Sequence, residues 1–138
     1  MTPRIFLNAK EEQEIMQGFP WVFDNEIENI KGQVTNGDVV DIYSKSGLFL
    51  GCGIINQNSK ITVRIITTDK NYCSKSIEVY DEDFFIKKIE DALAIRYMYF
   101  HKNDSYRLIF AEADFLPGLI VERYVDISGR VFLVVQFL

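Results

Sequence analysis

The chain is poor in the residues that build metal and redox centres. It has 2 cysteines and 1 histidine among 138 residues. Cys52 and Cys73 are widely separated and form no CxxC, and His101 is not clustered with them, so the usual zinc spacings are excluded. Both cysteines read as reduced thiols of a cytosolic protein; a single disulfide in an exported protein is the alternative. Neither has the basic setting that marks a nucleophilic thiolate. Long apolar runs are also missing. None approaches the ~18 residues of a membrane span, and Met1 to Asn8 lacks the apolar stretch of a signal peptide. The expectation is a soluble, cytoplasmic protein. Cations are scarce, with 15 Lys and Arg against 20 Asp and Glu and a net charge of −5. Phosphate affinity comes mostly from cations that displace counterions, so a histone-like or strand-coating role is excluded. No internal repeat or low-complexity segment is present.

What remains is an ordinary folded composition, 48% apolar and 25% charged, with a rich 14% of aromatics. The length suits one domain or two small ones. Charge is unevenly spread. Met1 to Ile30 has two cations against six acids. Lys31 to Lys70 has five cations against three acids, the only basic stretch. Asn71 to Leu138 has eight cations against eleven acids. Any nucleic-acid contact must therefore be local and shape-dependent.

Arg4 to Asn8 is β-prone, and Ala9 to Gln17 reads as a helix capped by Asn8 and stopped by Gly18 and Pro20. Short strands follow at Trp21 to Phe23, Ile27 to Ile30 and Asp38 to Tyr43, with Asn36-Gly37 as a hairpin cue. Leu48 to Ile55 is a strand bent at Gly51 and Gly53, and Ile61 to Thr67 alternates as a half-buried strand. Several short strands with one helix predict a small, closed or nearly closed β-barrel. The polar segment Thr68 to Ser76 marks a junction, dividing the chain into 1–70 and 71–138. Asp81-Glu82-Asp83 then opens a long helix whose apolar face is Ile86, Ile89, Leu93, Tyr97 and Phe100, ending near His101 to Asp104. Three strands close the chain: Tyr106 to Ala111, Leu119 to Val125 and Val131 to Leu138. The last has a buried-strand pattern and no polar tail, which reads as a fragment cut inside or just after a strand. The predicted fold class is α+β: a small mixed barrel, then a partial α+β domain of one long helix and antiparallel strands.

Gly18-Phe19-Pro20-Trp21-Val22-Phe23 packs a helix stop, a rigid proline and three rings into six residues. Its plain reading is a helix-to-strand corner. Its functional reading is that Phe19 or Trp21 offers a ring on which an unpaired base stacks, worth ~1–3 kcal/mol. Lys45, Lys60 and Arg64 in the basic stretch, with Lys10, are candidates for phosphate positioning, against a plain reading as solvated charges. Glu112, Asp114 and Glu122 are carboxylates near a loop, without a partner histidine, and read as caps or solvated acids. Gly51-Cys52-Gly53 fails as a phosphate cradle, because position 56 is Asn56 and no helix follows.

The order helix, GFPWVF (Gly18 to Phe23), GDVVDIYSKSGLFLGCGIIN (Gly37 to Asn56) and KITVRIIT (Lys60 to Thr67) resembles the PUA domain of a bacterial family of S-adenosylmethionine-dependent methyltransferases that make 5-methylcytosine in large-subunit ribosomal RNA. SYRLIFAEADFLPGLIVERYVD (Ser105 to Asp126) is similar to that family's central-domain signature, carried here by Arg107, Glu112, Asp114, Pro117, Gly118 and Arg123, with Leu108, Leu116, Leu119, Val121 and Tyr124 between them. Two departures stand out. Phe19 replaces a usual His, and Phe115 replaces a usual Gly. The resemblance implies a PUA-like RNA-binding domain over 1–70 and part of the central domain over 71–138. It implies no catalytic residue and no metal in this chain, with S-adenosylmethionine and a nucleophilic cysteine belonging to a catalytic domain that is absent. The partner it implies is RNA, ribosomal in kind. Two other readings remain open: a small enzyme using Glu112 and Asp114, and an assembly module that pairs its terminal apolar strand with a second chain.

Overall fold

The computed structural model describes residues 2–73 and 82–138. The expected helix start at Asp81 lies outside the described residues. The chain divides into two compact units, Met1–Tyr80 and Asp81–Leu138.

Unit 1 is a curled six-stranded sheet with one short helix. Its elements are β1 (Arg4–Leu7), α1 (Glu12–Met16), β2 (Trp21–Phe23), a 3-10 turn (Asp24–Glu26), β3 (Ile27–Lys31), β4 (Val39–Tyr43), β5 (Phe49–Ile55) and β6 (Ile61–Thr67). The strand order is β2-β6-β5-β4-β1-β3. All neighbours are antiparallel except β1 and β4, which run parallel. β1 lies between β3 and β4, so Asn36-Gly37 makes a turn but not a hairpin. Gly37 has φ 99°, and Asp38 N donates to Thr35 O at 3.0 Å. Alternation along β1 sends Ile5 and Leu7 inward and Phe6 outward. Ile5, Leu7, Val22, Val40, Ile42, Ile55, Val63 and Ile65 are fully buried in the unit's core.

The glycines of β5 act by absence of a side chain. A Cβ on Gly53 would collide with the carbonyl of Arg64, and one on Gly51 would lie 2.8 Å from Thr67 O. The β5–β6 register shifts between Cys52 and Gly53, which is the bulge expected from the sequence.

Three further expectations are corrected in this unit. First, α1 is only Glu12–Met16 and Asn8 does not cap it. Asn8 is tied elsewhere: its backbone N donates to Glu26 O at 2.8 Å and its Nδ2 to Asn25 O at 2.9 Å. Lys10, at φ 80°, breaks the helical path before Glu12. The stop is as expected. Gly18 (φ 96°) donates to Ile15 O at 2.9 Å and Phe19 N to Glu14 O at 3.0 Å, a Schellman closure. Second, Cys52 and Cys73 are disulfide-bonded, with Cα atoms 5.7 Å apart, and are not free thiols. Cys52 registers opposite Thr67, and after Thr67 the chain turns back over the sheet. Tyr72 N to Asp69 O and Cys73 N to Lys70 O close that turn. Third, β6 is buried on both faces along most of its length, where a half-buried strand was expected.

Unit 2 contains α2 (Glu82–Tyr97), β7 (Tyr106–Phe110), a 3-10 turn (Ala111–Asp114), β8 (Leu119–Val125) and β9 (Val131–Phe137). The sheet is an antiparallel meander, β7-β8-β9. The helix face is rotated from the expected one. Phe84 and Ala92 are buried, Ile89 and Leu93 half-buried, while Ile86, Tyr97 and Phe100 are exposed. Ala92 packs with Ile109, Leu116 and Val121, where its small side chain allows close approach. One helical turn on, Arg96 shares that face. The helix also ends at Tyr97, before the expected stop near His101.

β9 was expected to be buried. Every residue from Val131 to Leu138 is exposed, and among the described residues the strand pairs only with β8. A long, flat, apolar edge is a template for intermolecular pairing. The chain is expected to associate as concentration rises. Leu133→Lys with Val135→Lys should shift it toward monomer in light scattering; a wild-type chain that stays monomeric at high concentration would refute this.

Candidate nucleic-acid interface

The rings of Gly18 to Phe23 gather at one edge of unit 1. Phe19 lies edge-on to Trp21, with centroids 5.5 Å apart, and Phe23 is 6.3 Å from Trp21 and 6.4 Å from Phe19. Phe19 is 36% exposed, whereas Trp21 and Phe23 are half-buried. Val22 between them points into the core, so alternation along β2 puts Trp21 and Phe23 on the other face. The indole Nε1 of Trp21 is buried with no acceptor among the described residues. Phe19 also borders an open depression of ≈ 460 Å³ lined by Glu14, Gln17, Gly18 and Pro20.

The β2–β6 register places Trp21 opposite Arg64, whose Nη1 donates to Ile61 O at 3.0 Å. Lys60 precedes β6; its carbonyl accepts from Asp24 N at 2.9 Å, while its side chain is exposed. So Phe19, Trp21, Lys60 and Arg64 are brought onto neighbouring elements. Lys10 and Lys45 are not joined to them by any such contact. Lys10 follows β1, and Lys45, on the β4–β5 turn, is ion-paired with Glu28 at 2.6 Å. Glu14 lines the depression, so phosphate is disfavoured on the α1 side and favoured toward Lys60 and Arg64. Nearby, Glu26 has its carboxyl pushed above the ordinary range by burial, partly offset by the bond it accepts from Phe23 N at 2.7 Å.

In unit 2 the signature residues hold the fold. Arg96 clamps Asp114 through two 2.6 Å bonds, and Asp114 Oδ2 also accepts from Phe110 N at 2.7 Å. Both Asp114 oxygens are engaged, so the carboxyl is a structural anchor, and the reading of Glu112 and Asp114 as an acid–base pair loses one partner. Glu112 is half-buried on the same 3-10 turn. Arg107 pairs across the strands with Glu122 at 2.8 Å, and Tyr124 donates to the same carboxylate at 2.9 Å. The Arg107 bond, then the Tyr124 bond, hold the Glu122 carboxyl below its usual range. Arg123 reaches the carbonyls of Asp104 and Lys102, and Pro117-Gly118 turns into β8 with Gly118 at φ 83°. Phe115 sits at φ 54°, the left-handed region that favours glycine, the residue the sequence resemblance leads one to expect there.

No group of His, Cys, Asp or Glu among the described residues can hold a metal ion. The backbone beside Gly51 and Gly53 is filled by β6, so that pair offers no cradle for a nucleotide or for S-adenosylmethionine. No helix among the described residues is long and apolar enough to cross a membrane.

A model of the PUA-like domain family matches residues 5–68, which spans β1 through β6. Unit 1 holds a PUA-like domain. The whole chain is similar to proteins named "Ribosomal RNA large subunit methyltransferase I". That of Aliivibrio fischeri (strain ATCC 700601 / ES114) is 36% identical over 91% of this chain and 31% of its own length. That of Shewanella denitrificans is 39% identical over 92% of this chain and 31% of its own length. That of Aeromonas hydrophila is 36% identical over 100% of this chain and 32% of its own length. The chain thus spans about a third of the length of the curated relatives it matches. Among solved structures, a Streptococcus mutans protein assigned as a SAM-dependent methyltransferase has TM-score 0.64 at 19% identity, covering 88% of this chain and 30% of that one. Another, assigned as a methyltransferase and complexed with SAH, has TM-score 0.63 at 19% identity over the same shares. At that identity the likeness is one of fold. The PUA-like domain sets a curled β sheet, and with the helix and meander of unit 2 the architecture is α+β, as read from the sequence.

Proposed function

We propose that this chain is the RNA-recognition part of an S-adenosylmethionine-dependent methyltransferase that modifies a cytosine at carbon 5 in large-subunit ribosomal RNA, in the cytoplasm. The observation that carries the reading is the joint one. A PUA-like domain occurs in a chain 36% identical, over 91% of its length, to proteins named for ribosomal RNA methylation. The geometry adds a contact surface. Phe19 and Trp21 supply ring faces, and Lys60 and Arg64 supply positive charge on the adjoining strand. Lys10 and Lys45 would lie at the margin of the bound RNA. S-adenosylmethionine and the chemistry of transfer belong to residues outside this chain. The Arg96–Asp114 clamp and the cross-strand pair Arg107–Glu122 keep unit 2 rigid for that role.

The test is fluorescence anisotropy of the chain with labelled large-subunit ribosomal RNA fragments and with random RNA of equal length. Preference for the ribosomal fragments is expected. Binding should be weak, because the chain is acidic overall, and its salt dependence should be shallow, because few cations face the RNA. Trp21→Ala should weaken binding by ~1–3 kcal/mol, and Arg64→Gln should reduce the salt slope by about 0.7. Thermal melts separate these effects from loss of fold. Equal binding to random RNA would sink the reading.

A further inference from the structure

A second aromatic surface lies on other strands of the same unit than Trp21 and Arg64, and Lys45 is on the turn that joins two of those strands. Phe6 on β1, Tyr43 on β4 and Phe49 on β5 stand side by side across three neighbouring strands. Register pairs Phe6 with Tyr43 and Tyr43 with Phe49. Phe6 and Tyr43 are stacked with centroids 5.5 Å apart, and Tyr43 meets Phe49 edge-on at 5.6 Å. All three are half-buried, and their neighbours Ile5, Leu7, Ile42 and Leu50 are in the core, so the rings lie on the other face of the sheet, where Phe49 also packs against Val39, Cys52, Ile66 and Cys73.

Each ring carries a cation. Lys31 Nζ lies 4.7 Å from the Phe6 centroid, Arg4 Cζ 5.8 Å from Tyr43, and Lys70 Nζ 5.8 Å from Phe49. The three cations are exposed. Two of the three, with Tyr43 and Phe49, come from the one basic stretch of an otherwise acidic chain. A core corner needs rings but not a cation over every ring. A row of ring faces interleaved with mobile positive charge is the arrangement that holds unpaired nucleotides, with bases on rings and phosphates on cations.

We infer that Phe6, Tyr43 and Phe49, with Arg4, Lys31 and Lys70, form a stacking platform for two or three nucleotides of single-stranded RNA. This rests on the RNA-binding reading above and extends it to a second surface. The platform reads no sequence, because it offers π faces and charges but no fixed set of donors to base edges. It would hold an unpaired segment flanking the folded RNA engaged at Trp21. Lys31 and Arg4 would swing from the rings to phosphates as bases take their place.

The probes are fluorescein-labelled decauridine and a labelled ribosomal hairpin, measured by anisotropy at several salt concentrations with the full chain. Tyr43→Leu with Phe49→Leu keeps apolar volume but removes stacking, and should weaken decauridine binding at least about tenfold. Arg4→Gln with Lys31→Gln and Lys70→Gln alters exposed side chains only, and should lower the salt slope for decauridine by about 2. Trp21→Ala should affect the hairpin more than decauridine. If decauridine binds wild type and both multiple variants equally, or binds none while the hairpin binds in a Trp21-dependent way, the platform is overturned and the function proposed above survives. If neither RNA binds wild type, both fall. If the ring variant alone melts early, the charge variant, which leaves the core untouched, decides.

Discussion

Asp114→Ala is expected to destabilise unit 2 by about 3–5 kcal/mol, the range for removing one partner of a buried ion pair. The side chain of Asp114 is 3% exposed and that of Arg96 15%. The guanidinium is planar and meets the carboxylate with two parallel bonds, and its Nε also donates to Arg107 O at 3.3 Å. Removing the carboxylate leaves that cation half-desolvated on the face of α2 that packs against the sheet. It also removes the acceptor for Phe110 N at the end of β7. Helix, strand and 3-10 turn are joined through this one side chain. Asp114→Asn keeps shape and one acceptor but loses the charge, and should cost less than the alanine. Chemical denaturation of the two variants measures the difference. If Asp114→Ala melts like wild type, the clamp is not what holds the helix in place.

The second large effect is in unit 1. Cys52→Ser with Cys73→Ser, or reduction of the wild type, is expected to cost about 3 kcal/mol, because the bond closes a loop of moderate length in the unfolded chain. For a domain of this size that corresponds to a melting temperature roughly 10 °C or more lower. Cys73 is 2% exposed and packs with Val39, Cys52 and Ile66, so the serine variant also places hydroxyls in an apolar cluster. Reduction without mutation separates the two contributions. The bond anchors the turn that carries Lys70, so its loss should loosen the cation over Phe49 as well. Alkylation of the native protein followed by mass measurement reports the state of the pair directly. Two free thiols in the protein as isolated, with no change in melting on adding reductant, would contradict the pairing.

Local chemistry made much of this chain readable in advance. Gly18 and Pro20 ended α1 because one adopts positive φ and the other cannot continue a helix. The strand Ile61–Thr67 was placed by alternation and Leu119–Val125 by its flanking turns, and Gly51 and Gly53 marked a real bulge. The two motif strings were enough to expect a PUA-like fold and an RNA methyltransferase relationship.

What sequence could not supply were relations between distant segments. Nothing in the spacing of Cys52 and Cys73 shows that the chain doubles back after Thr67 to join them. Nothing in Asn36-Gly37 shows that β1 has been inserted between the strands it separates. The helix Glu82–Tyr97 is apolar on several sides, so its periodicity allowed more than one buried face; the ion pair of Arg96 with Asp114 and the close fit of Ala92 chose among them. The aromatic row of Phe6, Tyr43 and Phe49 is likewise invisible along the chain, because its members come from three separate segments. Short-range order follows from the conformational limits of individual residues, and the sequence by itself determined it. Long-range pairing depends on which surfaces meet once the chain has closed, and only the tertiary structure decided that.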